Sequence, residues 1–149
     1  FIDLAEKRKS GGKYKNFYLL EETEDNELLA LSFKGTKENA AGVSLYLSSF
    51  LSKNGIEESR ANRIAVAVEE MAASCAERME GKKKFADIDI RIFADKNETI
   101  ISVRDNGDEF DPLNDDKEFE MSPLTVVKAI SDKVEYSRVL GFNRTIIKL

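Results

Sequence analysis

Glu70 and Ser74 are a carboxylate and a hydroxyl at a spacing that could support chemistry. They lie four positions apart in a segment with helical periodicity, so their side chains share one helix face. A carboxylate there can activate a hydroxyl or a water, and a serine hydroxyl can join the shell of a divalent cation. The structural alternative is a solvated Glu70 and a Ser74 that only packs. The spacing alone favours this alternative.

Asp105 ends a strand-like run, and Gly107 follows two positions later. Strand parity places Asp105 on the same face as Ile101 and Val103, at the rim of the predicted core. A carboxylate there can accept a hydrogen bond from an exocyclic amine, and Gly107 allows a turn in which a flat ligand approaches the backbone. Asp-Asn-Gly is also an ordinary turn sequence, and by itself it favours a turn over a ligand site.

Periodicity and capping signals predict the elements that position these residues. Thr36 and Ser59 are expected to cap two successive helices, and the first of these helices ends at Asn54-Gly55. The second carries an apolar stripe that includes Cys75. Strict polar–apolar alternation over 87–92 predicts a strand with one buried face. The other predicted elements are strands over 17–20, 28–33, 99–104, 133–138 and 143–149 and a helix over 123–131.

This order of elements predicts an α/β (α+β) two-layer sandwich. Its helices lie on one face of a mixed, mostly antiparallel sheet. The domain is expected to span residues 28–149. Residues 1–27 are short, charged and interrupted by Gly11-Gly12, so we expect an N-terminal arm or linker there.

The composition excludes several classes of function. The 149 residues contain no histidine, which rules out histidine acid–base catalysis and histidine-ligated metals. The single cysteine, Cys75, excludes an internal disulfide framework and is expected to be a buried, inert thiol. A net charge of −5 argues against general binding to nucleic acid. No apolar run is long enough for a transmembrane helix, and no signal-peptide pattern is present.

Three segments in this order resemble the Bergerat-type, histidine-kinase-like ATPases, which include gyrase and MutL. Ile64–Met71 (IAVAVEEM) is similar to the helix of the family's N box. Ile101–Pro112 (ISVRDNGDEFDP) is similar to the strand and loop of its first glycine box. The tail, Val127–Leu149, resembles the final helix and hairpin of the anti-sigma-factor serine/threonine kinases. The resemblance covers about four fifths of the chain.

The resemblance implies ATP or ADP with Mg²⁺ as ligands and assigns roles to five residues. Glu70 is implied to be the catalytic base, and Ser74 stands at the position of the metal ligand. Asp105 is implied to bind the adenine amino group, with Gly107 shaping the adenine pocket and Thr145 lining its side.

The chain departs from the family pattern where phosphate and metal would bind. Ser74 replaces the asparagine that binds magnesium in the family, and Met121–Leu124, at the second glycine box, contains no glycine. Pro123 removes an N–H group that a phosphate would use. Eight acidic residues against Lys117 alone in the stretch 105–120 disfavour a triphosphate. These departures predict weak or lost nucleotide binding.

Two functional hypotheses therefore stay open. One is an ATP-dependent serine/threonine protein kinase that acts on a small anti-anti-sigma-like partner through Glu70. The other is a regulatory module that kept the fold and has weak or lost ATP binding. The departures favour the second hypothesis. A two-layer domain with no nucleotide-binding ancestry is the least favoured alternative.

The resemblance also implies a regulatory protein partner, such as a sigma factor or an anti-anti-sigma-like protein. Anti-sigma kinases pair through their first strand and helix, so a homodimer is expected through a face that could equally be core: Leu29, Leu31, Phe33, Val43 and Leu47. Because the chain starts at Phe1, we expect it to be part of a longer protein, whose other parts could include a membrane segment. This part is expected to be bacterial and cytoplasmic, without direct membrane contact.

Overall fold

The elements follow the order that periodicity predicts. The computed structural model describes residues 27–114 and 123–149. The strands are β1 (Glu27–Lys34), β2 (Asp87–Ala94), β3 (Thr99–Asp105), β4 (Lys133–Val139) and β5 (Phe142–Lys148). The helices are α1 (Lys37–Lys53), α2 (Glu58–Arg78) and α3 (Pro123–Ile130), and a 3₁₀ turn spans Pro112–Asn114.

Some sequence predictions fall outside these residues. They concern the strand over 17–20, nearly all of the arm over 1–27, Met121 and Ser122 of the second glycine-box position, and the acidic run from Asp115 to Glu120.

The described strands form one sheet in the order β1-β2-β3-β5-β4, and each neighbouring pair is antiparallel. The apolar face of this sheet joins the apolar faces of the helices in one core. Its sheet members include Ile88, Ile90, Ile92, Ile101 and Ile147. The predicted α+β sandwich is confirmed, and the parallel pairing that a mixed sheet allows does not occur among these five strands.

Helix α2 connects the layers and carries the predicted Glu70–Ser74 face. It packs against both α1 and α3 and contacts β3. Its predicted stripe is buried at Ile64, Val68 and Cys75. The last turn of α2, at Arg78, therefore lies near the end of β3, at Asp105. In the part of the chain that the structure describes, no helix has the length and apolar character needed to cross a membrane.

The predicted caps are confirmed for α1 and corrected for α2. Thr36 caps α1, because its hydroxyl accepts a hydrogen bond from the Asn39 N–H at 3.1 Å. The cap of α2 is Glu57 and not Ser59. The Glu57 carboxylate accepts from the Ser59 N–H at 3.3 Å, so a carboxylate satisfies one of the free N–H groups in the first turn of this helix.

The prediction of one buried face for β2 is wrong. Asp89 and Arg91 occupy the polar positions of the alternation, yet both are almost fully buried. Ser32 of β1 donates to the Asp89 carboxylate at 3.2 Å, and Arg91 lies 4.0 Å from the Asp89 carboxylate and 4.0 Å from that of Glu27. Alternation reports which positions are polar, but paired charges allow the polar face to be buried as well.

Candidate functional site

The carboxylate of Asp105 lies at the end of β3, with only 5% of the residue exposed. It is on the same side of the strand as Ile101 and Val103, as parity predicts, and all three are buried. Its neighbours across the sheet are Ile88 on β2 and Asn143 on β5. A carboxylate buried this deeply needs hydrogen-bond donors in place of water.

Three donors of the same chain supply those hydrogen bonds. Oδ1 of Asp105 accepts from the Gly107 N–H at 3.0 Å and from Nδ2 of Asn143 at 2.9 Å. Oδ2 accepts from Nη2 of Arg78 at a longer 3.4 Å. A Cβ atom at Gly107 would lie 3.0 Å from Oδ1, so glycine is what lets this turn close on the carboxylate. The structure thus brings together two predicted site residues, Asp105 and Gly107.

Asn143 fixes the loop that follows β3. Its amide nitrogen also donates to the carbonyl of Asp108 at 2.7 Å. Its oxygen accepts from three groups, which are the Phe110 N–H at 3.1 Å, the Tyr136 hydroxyl at 2.7 Å and Nη1 of Arg138 at 3.0 Å. A buried asparagine with both amide atoms fully engaged holds its neighbours in one arrangement. Asn143 therefore orients the Asp105 carboxylate and shapes the loop beside it.

Arg78 and Phe110 cover the Asp105 carboxylate. The Cζ atom of Arg78 lies 4.4 Å from the centroid of the Phe110 ring, which is the geometry of a cation–π contact. The same guanidinium pairs with Asp105, and 19% of the Arg78 side chain is exposed. Lys82 forms an ion pair with Asp108 in the same loop. Arg78 at the end of α2 and Lys82 in the turn after it thus place two basic side chains against the end of β3 and the loop that follows it.

Glu70 and Ser74 lie on α2, in the two turns before Arg78. Glu70 is half-buried, and burial, followed by the charges of Glu69 and Glu77, raises the pKa of its carboxyl above the ordinary value of 4.5. Ser74 is only 6% exposed, which leaves its hydroxyl little access to a hydrated ion. Within the described part of the chain, no hydrogen bond joins Glu70 or Ser74 to Asp105.

Thr145 and Cys75 are both buried beside the Asp105 cluster. Thr145 lies on the same face of β5 as Asn143 and pairs with Val103, one step further into the sheet. Burial, followed by the charge of Asp105, raises the pKa of the Cys75 thiol to about 12. The expectation of a buried Cys75 is confirmed. The raised pKa agrees with an inert thiol, because the thiolate is the reactive form.

Sequence reasoning missed the roles of Arg78, Phe110 and Asn143. Arg78 follows Ser74 by four residues, so the spacing that linked Glu70 to Ser74 also places Arg78 on that face. Asn143 lies in the family-like tail over 127–149, where no local signal marks it as a site residue. Its pairing with Asp105 depends on the register of β5 against β3, which no local pattern reports.

Comparison with known families places this arrangement. The family model of the histidine kinase-like ATPase domain matches residues 33–149, which is most of the chain. The chain belongs to the histidine kinase-like ATPase domain family.

Solved structures agree with this family at the level of the fold. A crystal structure of the RsbU and RsbW domains of a Mycobacterium tuberculosis protein has a TM-score of 0.56 and 16% sequence identity. The match covers 81% of this chain and 32% of that chain, so this ATPase-family chain spans about a third of the solved one. No curated protein matches the sequence.

The family implies ATP and Mg²⁺ as ligands, and the described residues do not fit them well. Both carboxylate oxygens of Asp105 already accept hydrogen bonds from this chain. The Ser74 hydroxyl is buried. Among residues 27–114 and 123–149, no group of three histidine, cysteine, aspartate or glutamate side chains is arranged to hold a metal ion. The chain therefore keeps the fold of the ATPase family, while the polar groups at its predicted nucleotide site form hydrogen bonds with one another.

The Asn143 hydrogen bonds predict a stability effect. We expect Asn143→Ala to destabilise the domain by about 2–3 kcal/mol, because buried donors such as the Phe110 N–H lose their acceptor. Asn62→Ala is the matched control, since the exposed Asn62 bonds only Ser48 and its loss should cost less than about 0.5 kcal/mol. Urea denaturation measures both. Equal effects of the two substitutions would contradict the role assigned to Asn143.

The raised pKa of Glu70 predicts a pH-dependent effect. A carboxyl whose pKa is higher in the folded state stabilises the fold below the unfolded value of 4.5, and this stabilisation is lost as the pH rises through the folded value. Glu70→Gln should therefore be slightly more stable than the wild type at pH 7, and the difference should vanish near pH 4. The gain is small because Glu70 is only partly buried.

Urea denaturation at the two pH values, with the exposed Glu80→Gln as control, measures this difference. A Glu70→Gln variant that is less stable than the wild type at pH 7 would show that the ionised carboxylate is stabilising, contrary to the raised pKa.

Proposed function

We propose that this histidine kinase-like ATPase domain is a regulatory module in which ATP binding is weak or lost. The observation that carries the proposal is the state of Asp105. Its buried carboxylate has the role of accepting the adenine amino group in the family pattern, yet three N–H donors of its own chain already occupy its two oxygens. Because the carboxylate is almost fully buried and Arg78 covers Oδ2, an adenine amine must displace Arg78 and recover its hydrogen bond, so the net gain from binding is small.

The metal side supports the same proposal. Ser74 stands where the family pattern has the magnesium-binding asparagine, and its hydroxyl is nearly inaccessible on α2. Mg²⁺ keeps several waters and needs carboxylate or carbonyl oxygens that face an open space. The second glycine-box position has no glycine in its sequence, Met121–Leu124. Phosphate and metal binding are therefore both weakened in this proposal.

An active serine/threonine kinase is the second candidate, and Glu70 favours it. A general base works best with a pKa near the operating pH, and the pKa of this carboxyl is shifted upward. In that case Glu70 would take the proton of a serine or threonine hydroxyl on a small anti-anti-sigma-like protein.

A regulatory protein is the proposed partner, either a sigma factor or an anti-anti-sigma-like protein in the bacterial cytoplasm. The tail resemblance over 127–149 supports this class, as does the fold likeness to a chain with an RsbW domain. The homodimer belongs to the same proposal. Its face is an open, mostly apolar groove between β1 and α1, lined by Leu31, Phe33, Asn39, Gly42, Val43 and Tyr46. Leu47 is fully buried and belongs to the core.

The activity of the isolated domain tests the regulatory proposal against the kinase. We expect no magnesium-dependent ATP hydrolysis or phosphotransfer above background in the wild type, in Glu70→Ala or in the control Glu80→Ala. Turnover of radiolabelled ATP measures both reactions. Magnesium-dependent turnover that Glu70→Ala abolishes and Glu80→Ala retains would establish the kinase and overturn the regulatory proposal.

A further inference from the structure

Phe110 and Asp105 supply the two parts of a binding site for a planar group that carries N–H donors. The ring of Phe110 offers a π face, and Oδ2 of Asp105 offers an anionic acceptor. One planar group, the guanidinium of Arg78, uses both at once, with Cζ 4.4 Å from the ring centroid and Nη2 3.4 Å from the acceptor. Stacking on an aromatic face combined with donation to a carboxylate is also how a purine that carries an exocyclic amine can be recognised.

We propose that Arg78 is an intramolecular occupant of the base-binding site. Its guanidinium stands between Phe110 and Asp105, where an aminopurine would stack and donate. This inference rests on the proposed function, because it takes Asp105 as the acceptor of the base, and it names the residue that weakens nucleotide binding at that site.

Arg78 is the removable member of the three donors to Asp105. The Gly107 donor is a backbone N–H in the turn after β3, and Asn143 is held by five hydrogen bonds of its own side chain. The Arg78 hydrogen bond is the longest of the three at 3.4 Å, and its Nε atom has no hydrogen-bond partner among the described residues. Its side chain also retains some exposure, so it can leave toward solvent.

Occupation of the site by Arg78 lowers the apparent affinity for nucleotide without removing the site. A ligand that needs the guanidinium displaced binds only the fraction of molecules in which Arg78 has left Asp105. A charge-assisted pair stacked on an aromatic ring keeps that fraction small. Removing the guanidinium should therefore raise the affinity for a base that carries an amine more than the affinity for a base without one, because only the first gains both the ring and the acceptor.

Titration calorimetry with ADP in the absence of Mg²⁺ tests the proposal. Arg78→Met removes the donors and the planar group that stacks on Phe110, and it leaves a flexible apolar side chain that a base can displace, so we expect its dissociation constant for ADP to be at least about tenfold lower than that of the wild type. Arg63→Met, on an exposed turn of the same helix, is the matched control and should behave as the wild type. Asp105→Asn combined with Arg78→Met should abolish the gain, because an amide N–H then faces the amine of the base.

Inosine diphosphate separates base recognition from a general opening of the site. Its base lacks the exocyclic amine and keeps the purine ring, so Arg78→Met should gain more affinity for ADP than for inosine diphosphate. If Arg78→Met fails to fold by circular dichroism, Arg78→Lys serves instead, since lysine keeps the charge without the planar stacking group and should give a smaller gain. A folded variant that binds ADP no more tightly than the wild type would overturn the proposal.

This result is independent of the activity assay. Omitting Mg²⁺ removes metal-mediated phosphate contacts from the titration. Tighter ADP binding by Arg78→Met without any ATP turnover would therefore support both the proposal that Arg78 occupies the site and the proposal of a regulatory module. ATP turnover by the wild type, together with no increase in the affinity of Arg78→Met for ADP, would overturn both proposals. ATP turnover by the wild type, together with tighter ADP binding by Arg78→Met, would overturn only the proposal of a regulatory module.

Discussion

The negative charge of Asp105 is held at a depth where water cannot solvate it, and the surrounding elements must neutralise it. The turn at Gly107 supplies one donor, strand β5 supplies Asn143, and the last turn of α2 supplies Arg78. Asn143 and Arg78 come from distant parts of the sequence, whereas Gly107 is a neighbour of Asp105 in the chain. The end of β3, the loop after it, the closing hairpin and the end of α2 are thereby tied to one carboxylate.

These hydrogen bonds favour a stable fold and oppose the binding of a ligand at Asp105. A buried carboxylate with three donors is compatible with a stable fold, whereas a binding site needs an acceptor that is left for the ligand. In this histidine kinase-like ATPase domain the donors belong to the chain. The fold of the family is preserved, and the buried Asp105 carboxylate is part of an internal hydrogen-bond network. A domain of this kind can act through its surface, for which the groove between β1 and α1 is available.

The elements could be predicted from the sequence because their signals are local. Alternation located β2, Thr36 located the start of α1, and the apolar stripe of α2 identified its buried face. The burial of Asp89 and Arg91 could not be predicted, because alternation does not report what covers the polar face.

The candidate site was only partly predictable for a similar reason. The position of Asp105 follows from strand parity, and Arg78 shares the helical spacing of Glu70 and Ser74. What Asp105 contacts depends on the register of β5 and on the path of the loop to Phe110, both of which are set by tertiary packing. Sequence patterns therefore identified the acceptor, and the structure was needed to identify the donors that occupy it.

The state of the Asp105 carboxylate in solution is the central claim, and nuclear magnetic resonance can observe it directly. The Gly107 N–H and the side-chain NH₂ of Asn143 both donate to Oδ1 of Asp105, so their resonances report on that acceptor. With Mg²⁺ present, the wild-type domain should show no saturable shift of either resonance at micromolar ADP. Saturable, magnesium-dependent shifts of both at micromolar ADP would show an open nucleotide site and contradict the account.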